Sequence, residues 1–339
     1  MNIKSNIKRF IGIITLCFLI KKTQWYSRIF VDTEHQVYPD NTWYRTHNER
    51  NFDVVVLGSS GAKWAFDFSN LPIKAMNWAQ QPQTLVEDFN LLRCYHSILC
   101  KGGNVIITIM PFTGLNKETG LMDAVKYLKI DTQGEPIQPY LYKKACRYAN
   151  YPILFGKPAI KALIKFILRR EETIDRFAKA MVPVNAMNAE QLDRDAKRWI
   201  DGWKRQFSIA DFDAPLTPQN MKGREYRISV MRDLVDFCVE RGYRPVYVIP
   251  PVTKHLAKYY TRTFEQNYIY SYLKEVNREV LILDYSKESD LQKDELYFNS
   301  FFLNAMGRKV FTKRVLDDLH LVCLLYTSPS PRDAHESRM

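Results

Sequence analysis

The sequence predicts an α/β fold built on a doubly wound parallel sheet, and three observations carry that prediction. Short continuous apolar runs recur at wide spacing, at Phe52–Leu57, Ala75–Asn77, 104–110, 245–249 and 280–283; strands buried on both faces read this way. Helical periods lie between them. Leu85, Phe89, Leu92 and Tyr95 or His96 share one face of 84–99, and a second helix over 226–241 stops at Arg241-Gly242. Finally, the first run ends abruptly at Gly58-Ser59-Ser60-Gly61, with a helix-like stretch behind it. Strand and helix alternating in this order argue for parallel strands with crossover helices.

The chain opens on Lys4, Lys8 and Arg9, an apolar run over 10–20, then Lys21 and Lys22. Eleven residues of helix span roughly 16 Å, about half a bilayer core. No small-residue cleavage site follows, so residues 1–25 read as an uncleaved signal anchor facing the rest of the chain outward. A buried amphipathic starter helix is the alternative. No second membrane segment is visible.

The first strand delivers Ser59 and Ser60 to the carboxyl edge of the sheet, where open α/β folds gather ligands and catalytic groups. A tight turn with glycine for freedom and serine as a helix cap explains the same residues more plainly. Alternation breaks over 115–220, which turns helical, basic and proline-punctuated and reads as an insertion. Within it Lys157, Lys161, Lys165 and Arg169 oppose Ile160, Leu163, Ile164 and Ile167. That pattern suits a membrane surface, an acidic polymer or an ordinary solvated face.

Several functions are excluded. The net charge of +12 is spread thinly with no nucleic-acid-binding motif. No G-x-G-x-x-G follows a strand, so no dinucleotide cofactor is expected. Cys17, Cys94, Cys100, Cys146 and Cys238 show neither C-x-x-C spacing nor clustered histidine, so no metal is expected. Residues 323–339 match the translation of a transposase-type sequencing adapter. They are expected to be a non-native tail, with the natural C-terminus beyond about residue 322 missing.

The blocks from Phe52 to Leu319 resemble the SGNH, or GDSL-type, hydrolase superfamily. Gly58-Ser59-Ser60 aligns with its Gly-Asp-Ser block, Ser60 taking the nucleophile's place and Ser59 that of the usual acid. The Gly-Ser-Ser form is similar to envelope-anchored members, including the D-alanyl transfer protein of teichoic acid synthesis. Met76-Asn77-Trp78-Ala79 resembles the second block, while the Gly-x-Asn-Asp block has no counterpart in ITIMPFTGL. The family ends on Asp-x-x-His-Leu-Asn-x-x-Gly. Here Leu303, Asn304 and Gly307 are kept, but Asn299 stands at the Asp position and Phe302 at the His position.

The resemblance implies a flavodoxin-like, three-layer, doubly wound sheet over 26–322 with the helical insertion and the anchor appended. It also implies acyl-ester hydrolysis or O-acyl transfer on surface polysaccharide, with an acylated polysaccharide or acyl carrier as partner and no cofactor. Ser60 would attack, and amides near Gly58, Ser60 and Gly61, with Asn77, would hold the oxyanion. Phenylalanine accepts no proton, however, and asparagine cannot steady an imidazolium. His35 and His47 precede the first strand, His96 closes a helix and His320 adjoins the tail. His255, in the loop after the run at 245–249, is the remaining base; Asp67, Asp284 and Asp294 are the acids near the rim. The rival expectation is a non-catalytic protein of the same fold that binds glycan or scaffolds a membrane assembly, its pocket roofed by Phe302.

Overall fold

A computed structural model of the chain describes residues 6–16, 18–19, 49–80, 83–113, 115, 143–144, 146–147 and 187–321. The basic stretch at 157–169, the residues 323–339, Cys17, His35 and His47 lie outside the described residues. The chain divides into two units, one of Met1–Thr42 with Thr119–Lys179 and one of Trp43–Glu118 with Ala180–Met339.

The second unit holds a five-stranded parallel sheet of β1 (Phe52–Leu57), β2 (Ala75–Asn77), β3 (Leu99–Thr108), β4 (Arg244–Ile249) and β5 (Leu281–Asp284). Their order is β2-β1-β3-β4-β5, the flavodoxin-like arrangement, whose winding reverses between β1 and β3. Ile106 lies opposite Val56 and Val246, and Val248 opposite Leu283. The inner strands are apolar over their central residues, Val54–Leu57, Val105–Ile107 and Val246–Ile249, because both faces are covered there. β3 starts at Leu99, five residues before its apolar run. Leu99 already pairs with Phe52, and an irregularity before Val54 absorbs the polar Lys101-Gly102-Gly103.

Helices cover both faces. On one face, Val54, Val56, Ile106, Val246 and Val248 form a buried cluster with Phe311, Val315 and Leu316 of α8 (Ala305–Asp318). Tyr247 faces the other way, towards Cys238. That side carries α2 (Leu85–Tyr95), α4 (Pro218–Glu240) and α7 (Ser271–Val276), packed on one another, with Phe89 meeting Phe237 edge-on at 5.7 Å. Short helices α1 (Ser60–Lys63), α5 (Lys254–Ala257) and α6 (Arg262–Glu265) start at the carboxyl edge or beyond it; one π turn, Gln266–Tyr270, joins α6 to α7.

Part of the expected insertion over 115–220 groups with the sheet. α3 (Ala189–Phe207) and the start of α4 fall inside those bounds, yet belong to the sheet-bearing unit. α3 buries Leu192, Ala196, Ile200, Trp203 and Phe207 along one stripe, a core-facing helix with charges over its outer face. α4 begins eight residues before the expected 226, where Thr217 accepts from Asn220 N and Pro218 takes the first helical position.

Near the N-terminus, residues 6–16 are helical and exposed, Phe10 at 65% and Ile11 at 57%. Among the described residues no helix is long and apolar enough to cross a membrane.

The Leu303-Asn304-x-x-Gly307 frame has a plain physical basis. Asn304 Oδ1 caps α8 by accepting from Gly307 N at 2.9 Å, while its Nδ2 donates to Glu295 O at 2.6 Å. Gly307 is packed so tightly that a Cβ would lie 2.0 Å from Leu296 O. A backbone carbonyl cannot swing aside. Gly307→Ala is therefore expected to destabilise by about 2–3 kcal/mol through overpacking, read as a lowered denaturant midpoint at unchanged m-value; wild-type stability in that variant would refute the close approach.

Candidate functional site

The carboxyl ends of β1 and β3 meet where the winding reverses, and Gly58 turns the chain there. Its φ is +144°, and a Cβ would sit 2.7 Å from Ala62 Cβ and 3.1 Å from Thr108 Cβ, so glycine is demanded twice over. Gly58 N donates to Asp88 Oδ1 at 2.8 Å, and Gly58 O accepts from Gln80 N at 3.3 Å. Ser59 sits at the cap position of α1 in extended conformation, its Oγ accepting from Gln83 N at 3.2 Å. Ser60 opens α1, half-buried, and among the described residues Ser60 Oγ has no hydrogen-bond partner. Gly61 follows because Met110 passes over it; a Cβ there would be 2.3 Å from Met110 Sδ.

Asn77 is committed to backbone. Its Nδ2 donates to Ala62 O at 3.1 Å and its Oδ1 accepts from Ala79 N at 3.0 Å, tying the end of β2 to α1. The family-derived reading has that amide holding an oxyanion; here Ala62 O takes one of its two N–H donors.

Asp88 escaped the reading of the sequence. It is buried on α2, and its Oδ1 takes both Gly58 N and Gln83 Nε2, the latter at 2.5 Å. Burial pushes its carboxyl up to about 7, against the bonds from Gln83 and Gly58 that pull it down; Glu87 next to it adds to the rise. Thr84 and Glu87 form a capping box at the start of α2, and an acid beside such a box reads as one more exposed first-turn charge.

The residues at 297–303 form a tight loop closed by a bridge between Tyr297 and Leu303. Asn299 Oδ1 accepts from Phe301 N at 2.8 Å and Phe302 N at 2.7 Å, holding the loop's turn. The Phe302 ring stacks on Phe298 at 5.7 Å and meets Phe301 at 4.7 Å and Trp199 at 5.4 Å. Between Gly61, Trp64, Met110, Pro250, Phe301 and Phe302 remains a cavity of ≈ 10 Å³, room for about one water. Phe302 and Gly61, the residue that follows Ser60, line the same cavity.

α3 is fastened over this loop by another buried acid. Asp195 Oδ2 accepts from Ser300 N at 3.0 Å, Ser300 Oγ at 2.7 Å and Trp199 Nε1 at 3.1 Å, while Oδ1 takes Arg198. Thr253 Oγ1, capping α5, donates to Ser300 O at 2.8 Å. Neither Asp195 nor Ser300 matches a family position, and only the folded chain brings them together.

His255 is occupied elsewhere. Its Nδ1 faces Asp193 Oδ1 at 2.9 Å and its Nε2 faces Asp294 Oδ2 at 3.2 Å. Lys258 Nζ lies 2.5 Å from Asp193, whose carboxyl is held below its usual range first by that lysine and then by His255. Neither ring nitrogen is turned to Ser60. Asp67 binds Ser69, and Asp284 accepts from Tyr270 Oη and Ser286 N, so neither acid orients a base. Among the described residues no cluster of His, Cys, Asp or Glu is disposed to hold a metal.

The five-stranded parallel sheet with its helices is compatible with the SGNH-like fold. No family model matches the chain, and no curated protein matches it significantly.

Asp88 makes stability depend on pH in a stated direction. Its folded pKa of about 7 lies well above the usual carboxylate range, so the native state holds the proton more tightly. Its stabilising contribution is complete below about pH 4 and is lost as pH rises to about 7, at about 1.4 kcal/mol per pKa unit. Asp88→Asn keeps the acceptor for Gly58 N and Gln83 Nε2 without the charge. Denaturation between pH 4 and 8 should show a flatter stability profile for this variant and a higher midpoint above pH 7; parallel profiles would disprove the buried, titrating acid.

Proposed function

We propose that this chain is a non-catalytic protein of SGNH-like fold that serves an envelope polysaccharide assembly by binding glycan. The observation that carries this reading is Ser60 Oγ standing without a partner among the described residues while Phe302 is packed into an aromatic stack. A serine hydroxyl becomes a useful nucleophile only beside a base held in orientation. His255 spends both nitrogens on carboxylates, and Asn299 spends its oxygen on two backbone amides. Loss of triad members removes several powers of ten in rate.

Acyl-ester hydrolysis or O-acyl transfer is the second reading. It is favoured by Ser60 itself, half-exposed in the first turn of α1 directly after a glycine-led turn at the end of β1. Turnover of activated acetyl esters decides between the two. Near-background rates, little altered by Ser60→Ala, are expected, and Phe302→His with Asn299→Asp should raise turnover above that background. Wild-type hydrolysis abolished by Ser60→Ala would overturn the non-catalytic reading.

The envelope location rests on the apolar run at 10–20 between basic residues, whose described part is exposed helix. We take this segment as a membrane attachment with the folded unit on the extracytoplasmic side. Deleting residues 1–25 is expected to move the protein from the membrane pellet to the supernatant; co-sedimentation after deletion would refute the attachment.

A further inference from the structure

We infer that a recess on the N-terminal half of α3 binds the carboxylate or phosphate of an acidic sugar. The recess has a volume of about 360 Å³ and is walled by Met187, Gln191, Arg194, Asp195 and Arg198. Small-molecule sites begin near that size, at about 300 Å³.

The chemistry of the wall selects an anion. Arg194 and Arg198 are one helical turn apart and lie on the same face. Each guanidinium carries five N–H donors in a fork that matches carboxylate or phosphate. Among the described residues each makes one hydrogen bond, Arg194 to Glu190 Oε1 at 2.5 Å and Arg198 to Asp195 Oδ1, leaving the other donors to solvent. Gln191 points the same way: its Oε1 accepts from Asn188 N at 2.8 Å, which leaves its NH₂ as the group on offer.

The acids nearby do not fill this demand. Asp195 has a side chain only 5% exposed, and its oxygens are taken by Arg198, Trp199 and Ser300. It therefore fixes Arg198 in place instead of presenting a free charge. The Arg194–Glu190 pair is exposed at 64% and 76%, and such pairs contribute about 0–1 kcal/mol. A ligand anion can exchange with Glu190 at little loss. The sugar part of the assignment rests on the glycan-binding reading above; the anionic part rests on the donors.

Occupancy would also be felt at the 299–302 turn. Arg198 and the Trp199 indole share the Asp195 carboxylate with Ser300. An anion that draws on Arg198 changes the field at Trp199 Nε1, so that indole N–H serves as a local reporter.

The test uses the full chain, with sodium glucuronate, glucose and inorganic phosphate as probes. Calorimetry supplies the affinities, and the Trp199 indole N–H resonance reports the location. Glucuronate is expected to bind at least tenfold more tightly than glucose, to weaken with added salt and to shift the Trp199 resonance. Arg194→Gln, at an exposed position that leaves the fold intact, should weaken it about tenfold, with Arg198→Gln as a second variant. Phosphate that displaces glucuronate at equal or lower concentration assigns the site to a phosphorylated sugar; failure to displace assigns it to a carboxylate. The inference is overturned if glucuronate does not bind, if glucose binds equally well, or if both variants bind like the wild type. Equal binding of glucose that neither variant alters would leave the glycan reading standing, whereas Ser60-dependent ester turnover would sink the non-catalytic reading and leave this recess untouched.

Discussion

The N–H of Gly58 donates to a carboxylate that burial drives towards its neutral form, and the carboxyl end of the sheet is organised around that bond. A glycine at φ +144° puts the amide in reach of Asp88, while the absence of a Cβ admits Ala62 and Thr108. Asp88 then gathers Gln83, whose own amide secures Ser59 Oγ. Gln80 closes the circuit on Gly58 O. Three elements, β1, α2 and the loop after β2, are locked together before any reacting group enters. Both donors converge on Oδ1 of Asp88, leaving Oδ2 to carry the proton when the group is neutral. Low local dielectric strengthens such bonds and equally raises the penalty for a missing partner, so this network specifies one conformation of the Gly58–Ser60 turn.

Above that turn the edge of the sheet is roofed with rings. Phe112, just after β3, meets Trp203, Phe207, Phe212, Phe264 and Tyr268, all within 6 Å. Trp203 continues to Phe301, and Phe301 to Phe302 and Trp199. Aromatic pairs contribute about 0.5–1.5 kcal/mol each beyond their buried area, so the roof is a cohesive layer, and α3 supplies its middle. Asp195 complements it with directional bonds to Ser300, fixing how α3 lies on the loop. Apolar contact supplies the adhesion, and the buried carboxylate supplies the register.

What the sequence disclosed follows how local each cause is. β1 and β2 were legible to the residue because short apolar stretches there end at polar or glycine residues within the sequence itself. The frame around Asn304 and Gly307 was legible because cap and close approach lie within four residues of one another. α3 was obscured by Glu190, Arg194, Lys197, Arg198, Asp201 and Lys204, a charged face that hid a five-residue apolar stripe. Asp88 and Asp195 were illegible for a different reason: each gains its decisive partners from residues 30 or 105 positions away, Gly58 and Ser300. His255 was correctly placed near the carboxyl edge, but its carboxylate partners come from α3 and from the 294–296 turn, which no local pattern announces.

Asn299 and Phe302, at the positions where the resembling family carries Asp and His, are understandable in the same terms. An Asp side chain at position 299 would offer an oxygen to the amides of residues 301 and 302; Asn299 offers that same oxygen without charge, so the turn keeps its shape while the power to steady an imidazolium is lost. Phe302 goes further than omission. Its ring packs against Trp199, Phe298 and Phe301 and leaves a void of about one water beside Gly61. Imidazole is smaller and more polar than the phenyl ring and would fill that stack less well, and without a charged partner at 299 nothing would repay its burial. Packing and catalysis therefore make opposing demands on position 302, and in this chain the surrounding rings are arranged to satisfy packing.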